Sequence, residues 1–150
     1  MLLNRLKNIT PLNIAISNFN GKAFFNNGGD NRFGASGGFL SKKKLSHTDK
    51  LINVKTLDNL IKEFKIKNNF HVKIDIDKDL VKLLNGFKNS VKNTLLRSVL
   101  IETEISEKVK VLKFFKPYMK VLNLEKIVRN HSTNRRKKNK SLIRNIVFIK

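Results

Sequence analysis

The segment Phe70-His71-Val72-Lys73-Ile74-Asp75-Ile76 alternates Val72, Ile74 and Ile76 with His71, Lys73 and Asp75. That period of two is the mark of a strand with one buried face, and it predicts a strand over 70–76. A string of carboxylates, Asp75, Asp77 and Asp79, begins where the strand ends.

Downstream, Leu80, Val81, Leu83, Leu84, Phe87 and Val91 gather on one broad helical face, which predicts a helix over 78–92 that Gly86 weakens locally. Val99-Leu100-Ile101 marks a second strand, over 97–104. Ser106 is placed to cap a helix over 106–116 carrying Val109, Leu112 and Phe115, which Pro117 ends. The chain closes on a strand over 144–150, Asn145-Ile146-Val147-Phe148-Ile149.

Upstream, Thr56 is an N-cap for a helix over 57–66, with Leu57, Leu60, Ile61 and Phe64 at helical spacing and Asp58 in the dipole-favoured first turn. Leu51 to Lys55 is extended, and Pro11 to Ser17 reads as a buried strand before the turn Asn18-Phe19-Asn20-Gly21. Lys22 to Phe25 forms a short strand. Asn26 to Gly38, with five glycines and three asparagines, reads as a loop. Its glycine spacing fits neither the dinucleotide fingerprint nor the P-loop.

Strand and helix thus alternate, which predicts a single α/β domain over 1–150 with parallel strands joined by right-handed crossovers. Two basic loops interrupt it, at 26–50 (glycine-rich) and 129–144.

The 150 residues are 40% hydrophobic, enough to build a core. There is no cysteine, which excludes disulfides and thiolate chemistry and favours a reducing compartment. His47, His71 and His131 show no metal spacing, and the aspartate string lacks the glycine and distal glutamate of a calcium loop, so no metal is expected. No signal peptide or apolar run of membrane-span length is present, and the expectation is a cytoplasmic protein with no membrane partner.

A formal charge of +21 attracts nucleic acid, anionic lipid or an acidic partner. The lysines are spread along the chain among asparagines, as a background bias in composition also produces. The densest run, Arg135-Arg136-Lys137-Lys138 with Lys140, reads either as a solvated loop or as the phosphate contact of a nucleic-acid-binding module. No aromatic is interleaved to stack on bases.

Thr56-Leu57-Asp58-Asn59-Leu60, Val72-Lys73-Ile74-Asp75-Ile76-Asp77 and Leu83-Leu84-Asn85-Gly86 resemble the TLDxL, KIDVEGxE and VLxG blocks of the FkbM methyltransferases. Asn13-Ile14-Ala15-Ile16-Ser17 resembles that family's third strand, Val99-Leu100-Ile101-Glu102 its fifth, and Asn145-Ile146-Val147-Phe148 its last. The resemblance implies a Rossmann-like class I methyltransferase sheet ordered 3-2-1-4-5-7-6, S-adenosylmethionine as cofactor, and O-methylation of a sugar or other small metabolite.

Nothing in the sequence resembles the family's opening DVGANxG turn or its acid-ended second strand. The expected sheet is therefore incomplete: the first two strands, which belong between the strand at Leu12 and that at Val72, are missing. Lys78 also stands in place of the family's glycine and Leu80 in place of its glutamate, with Asp79 offering a carboxylate one residue away. The strand at Val72 is then expected to present an open edge, the chain alone to hold the cofactor poorly, and a separate chain to be a candidate source of the missing half.

By the same resemblance Asp75 and Asp77 are the candidate catalytic residues, orienting an acceptor hydroxyl or taking its proton, or else capping the next helix. Ala15 and Ser17 are the candidate cofactor neighbours, at the adenine edge. Glu102 and Glu104 end the fifth strand in a similar position.

Overall fold

A computed structural model describes residues 8–27, 37–76, 78–122 and 143–150. In chain order these form β1 (Ile14–Ile16), β2 (Gly21–Asn26), β3 (Phe39–Ser41), β4 (Lys50–Lys55), α1 (Leu57–Glu63), β5 (Phe70–Ile74), α2 (Leu80–Asn85), a 3-10 turn (Ser90–Lys92), β6 (Leu96–Glu104), α3 (Lys108–Phe115), β7 (Lys120–Leu122) and β8 (Ile143–Ile149). The chain is mixed α/β, with two four-stranded sheets ordered β1-β4-β2-β3 and β5-β6-β8-β7.

The strands are not all parallel, as alternation alone had suggested. β1 runs parallel to β4, and β5 parallel to β6. β2 is antiparallel to both β3 and β4, and β8 is antiparallel to both β6 and β7. The reason lies in the connections: β2 is reached from β1 by a turn too short for a crossover, and parallel neighbours need a crossover of a dozen residues or more.

Burial follows the alternation of the strands. Val72, Val99 and Phe148 stand side by side across β5, β6 and β8, as do Ile74, Ile101 and Ile146. This row faces α2 and α3, where Leu80, Leu83, Leu84, Val111 and Phe115 are buried. Phe115 links the layers: its ring stacks on Phe148 at 4.4 Å and meets Phe87 edge-on at 6.2 Å, the offset and T-shaped geometries that aromatic quadrupoles favour. Ile61 of α1 joins the same core, and Ile16 and Leu57 pack against it, so the first sheet rests on the second.

Local signals explain several boundaries. Thr56 caps α1, its hydroxyl accepting the Asn59 N–H at 3.1 Å. The predicted helix over 78–92 divides, because Gly86 caps α2 through N–H bonds to the Leu83 and Lys82 carbonyls and the chain then turns before Ser90–Lys92. Ser106 does not cap α3; its hydroxyl donates to Glu104 Oε2 instead. Within the predicted loop over 26–50, β3 pairs with β2. The turn after β3 is organised by buried Asp49, whose carboxylate accepts from the Leu45 and Ser46 N–H groups and from Asn26 Nδ2.

The two sheets meet at one joint. Asp58 Oδ1 and Oδ2 accept the Ser90 and Asn89 N–H groups at 2.7 and 3.0 Å, while its own N–H donates to the Gly86 carbonyl at 3.0 Å. Against Gly86 lies the end of β1, so close that a Cβ at this position would sit 2.2 Å from the Ser17 carbonyl oxygen. The φ of Gly86 is −83°, a value any residue adopts. The glycine is required by space alone.

Gly86→Ala is therefore expected to lower unfolding stability by about 1–3 kcal/mol, the usual cost of overpacking, while Asn85→Ala next to it changes stability by less than about 0.5 kcal/mol. Urea unfolding of the two variants checks this.

Glu63 accepts from Lys55 Nζ and from Asn59 Nδ2, and the Lys55 bond holds its carboxyl below the ordinary value of 4.5. A depressed carboxyl stabilises the fold above its unfolded pKa and loses that contribution as pH falls through the folded one. The stability gap between the wild type and Lys55→Met should thus be constant above pH 4.5 and close below it, as read by chemical denaturation across that range.

Candidate functional site

Between the first sheet and β5 lies an open cleft of about 640 Å³. One wall is a face of the first sheet that carries Ala15, Ile52 and the register partners Lys50, Phe25 and Leu40. The opposite wall is β5 from Val72 to Ile76, continued by Lys78, Asp79 and Leu83 at the start of α2. Among the described residues no strand stands between β1 and β5.

The cleft gathers three of the four candidate residues. Ala15 and Ser17 come from β1 and its end, and Asp75 from the end of β5. Asp77 lies outside the described residues. Ser17 is buried; its hydroxyl donates to Asn18 Oδ1 at 3.3 Å and its N–H to the Lys55 carbonyl at 3.0 Å. Ala15 is half-buried and leaves a shallow place in the wall.

Asp75 is exposed and forms an ion pair with Lys73 Nζ at 2.8 Å. The alternative role, capping the next helix, does not fall to Asp75: the N-cap residue of α2 is Asp79, which makes no side-chain cap bond and pairs with Lys82. Asp79 adopts a left-handed backbone, φ 64°, so the chain turns sharply between the end of β5 and α2 at the lip of the cleft. An ionised carboxylate at that lip can accept a hydrogen bond from a hydroxyl and orient it.

Glu102 sits on β6 two residues before Glu104 and adds a smaller attraction to Lys73. Glu104 accepts from Ser106 and is exposed. Neither lines the cleft.

Sequence reading missed the mouth of the cleft. Lys78 Nζ lies 5.2 Å from the centre of the Phe39 ring, a cation–π contact between the β5–α2 turn and the first sheet. Gly38 makes room for the ring of Phe25, since a Cβ there would fall 2.3 Å from the tip of that ring. The available signal was the apolar pair Phe39-Leu40 directly after Gly37-Gly38, which marks a chain leaving a loop for a strand.

The basic run from Arg135 to Lys140 lies outside the described residues. Among the described residues no three His, Cys, Asp or Glu side chains are grouped as a metal would need, and no helix is long and apolar enough to cross a membrane.

Asp75 holds the Lys73 ammonium above its ordinary value of 10.5, chiefly through its hydrogen bond and then its charge, with partial burial opposing. A raised lysine stabilises the fold at neutral pH and loses that contribution as pH rises through the folded pKa. Asp75→Asn should lower the Lys73 midpoint, and Glu102→Gln should lower it less; an NMR titration of the lysine side chains distinguishes the two.

Compared with protein-family models, with curated proteins and with solved structures, the chain has no significant match.

Proposed function

We propose that the chain is the C-terminal part of an S-adenosylmethionine-dependent methyltransferase of the FkbM type, acting on a hydroxyl of a sugar or other small metabolite. The observation that carries the reading is the strand order β5-β6-β8-β7, in which β8 runs antiparallel to both neighbours. Counting β5 as the fourth strand, this order is 4-5-7-6, the second half of the order implied by the resemblance. The cleft supports it too, because it opens between β1 and β5, where the first and second strands of that order belong.

In this reading Asp75, paired with Lys73, is the group that holds the acceptor hydroxyl, with Asp77 two residues on in sequence. Ala15 and Ser17 form the floor on which the cofactor's adenine edge would rest.

The described residues do not by themselves fit the cofactor. S-adenosylmethionine carries a sulfonium cation, whereas the charged lining of the cleft is Lys50, Lys73 and Lys78 against Asp75 and Asp79, each of which is already paired with a lysine. Among the described residues lining the cleft there is no glycine-rich backbone turn, and both carboxylates are already paired.

Calorimetric titration of the chain with S-adenosylmethionine is expected to give no measurable heat of binding. Addition of a polypeptide carrying a glycine-rich strand-turn and an acid-ended second strand should restore binding. Micromolar affinity for the chain alone would place the cofactor elsewhere, and no binding in the mixture would remove the methyltransferase reading.

A further inference from the structure

The cleft has the properties of a docking site for an extended polypeptide. β5 hydrogen-bonds to β6 along one edge, and among the described residues nothing pairs with its other edge, which borders the cleft. β1 is in the same position, paired to β4 on one side. Unpaired N–H and C=O groups along a strand are a template for another strand. The wall opposite β5 offers Phe25, Leu40 and Ile52 to the side chains of an added strand, with Lys50 paired beside Phe25 and Lys78 facing them from the β5–α2 side.

We infer that this cleft binds an acidic, apolar-alternating β-segment of another polypeptide, which pairs with the free edge of β5 and lays its apolar side chains on the Phe25–Leu40–Ile52 wall. The apolar wall argues against a phosphate backbone as the occupant. Charge argues against a second copy of this chain, because each copy carries +21 and would bring its own Lys50 and Lys78, the lining lysines not paired with a carboxylate, against those of its partner. An acidic segment meets the same lysines with the favourable sign.

The inference does not depend on methyl transfer and is tested without cofactor. The probe is a synthetic peptide alternating valine with glutamate, added to the full chain. Amide hydrogen exchange should show protection gained on β5. A peptide of the same composition with alternate residues replaced by proline, which cannot donate to a ladder, should not bind.

The double variant Lys50→Glu/Lys78→Glu changes two exposed side chains and should weaken the acidic peptide by about tenfold while admitting a valine–lysine peptide. Equal binding of the proline peptide, binding with no protection gained on β5, failure of every peptide to bind, or a stable dimer in sedimentation without peptide would each overturn the inference. Peptide docking without any gain of S-adenosylmethionine binding in the calorimetric mixture would leave the inference standing and the methyltransferase reading refuted.

Discussion

The arrangement of the two sheets rests on the close approach of the Ser17 carbonyl to Gly86. At that point the end of β1 touches the cap of α2, and the Gly86 carbonyl is already engaged by the Asp58 N–H. Asp58 in turn holds the turn after α2 through the Asn89 and Ser90 amides. The end of β1, the helices α1 and α2 and the 3-10 turn are therefore tied through one glycine and one carboxylate. Hydrogen bonds to a charged acceptor contribute about 1.5–3 kcal/mol each, so this joint is strong for its size.

Fixing the sheets at Ser17 and Gly86 also determines what remains open. Ile16 and Leu57 reach the common core, whereas among the described residues β1 and β5 each pair with a strand on one edge only. The cleft is thus a consequence of sheet connectivity: each sheet is complete on one side of its parallel pair and open on the other. Lys78 over Phe39 then spans the mouth with a contact that costs little to break, since cation–π pairs at exposed sites contribute only about 0.5–1 kcal/mol.

Much of this was legible in the sequence where periodicity is strong. The alternation through Val72 and Ile74, the apolar run Val99-Leu100-Ile101, the Thr56 cap and the stop near Pro117 all correspond to elements at the expected places. What was not legible depends on contacts distant in the chain. Asp58 read as a dipole partner, but its bonds to Asn89 and Ser90 span about thirty residues, and no local rule encodes them. Gly86 read as a weak point within a helix because a pattern of apolar residues continues to Val91; the fold uses the same residue as an end, since only a position without Cβ admits Ser17. β3 and β7, of three residues each, are too short to carry a period. Of the site, Asp75, Ala15 and Ser17 came from resemblance, and the Phe25–Phe39 mouth needed the pairing of β2 with β3.

The open edges raise the question of why copies of this chain should not pair with one another. Proteins discourage such pairing with short edge strands and with lysines beside them, and both devices occur here. β1 has three residues, too few for a lasting ladder. β5 is longer, but Lys73 stands exposed on it and Lys50 and Lys78 flank the cleft it faces. These lysines penalise a cationic strand and reward an anionic one, so the features that keep the edge from its own kind also define what it accepts. A cleft lined only with apolar residues would bind any strand; Lys50 and Lys78 beside an apolar wall, with Lys73 already paired to Asp75, favour an anionic segment over a cationic one.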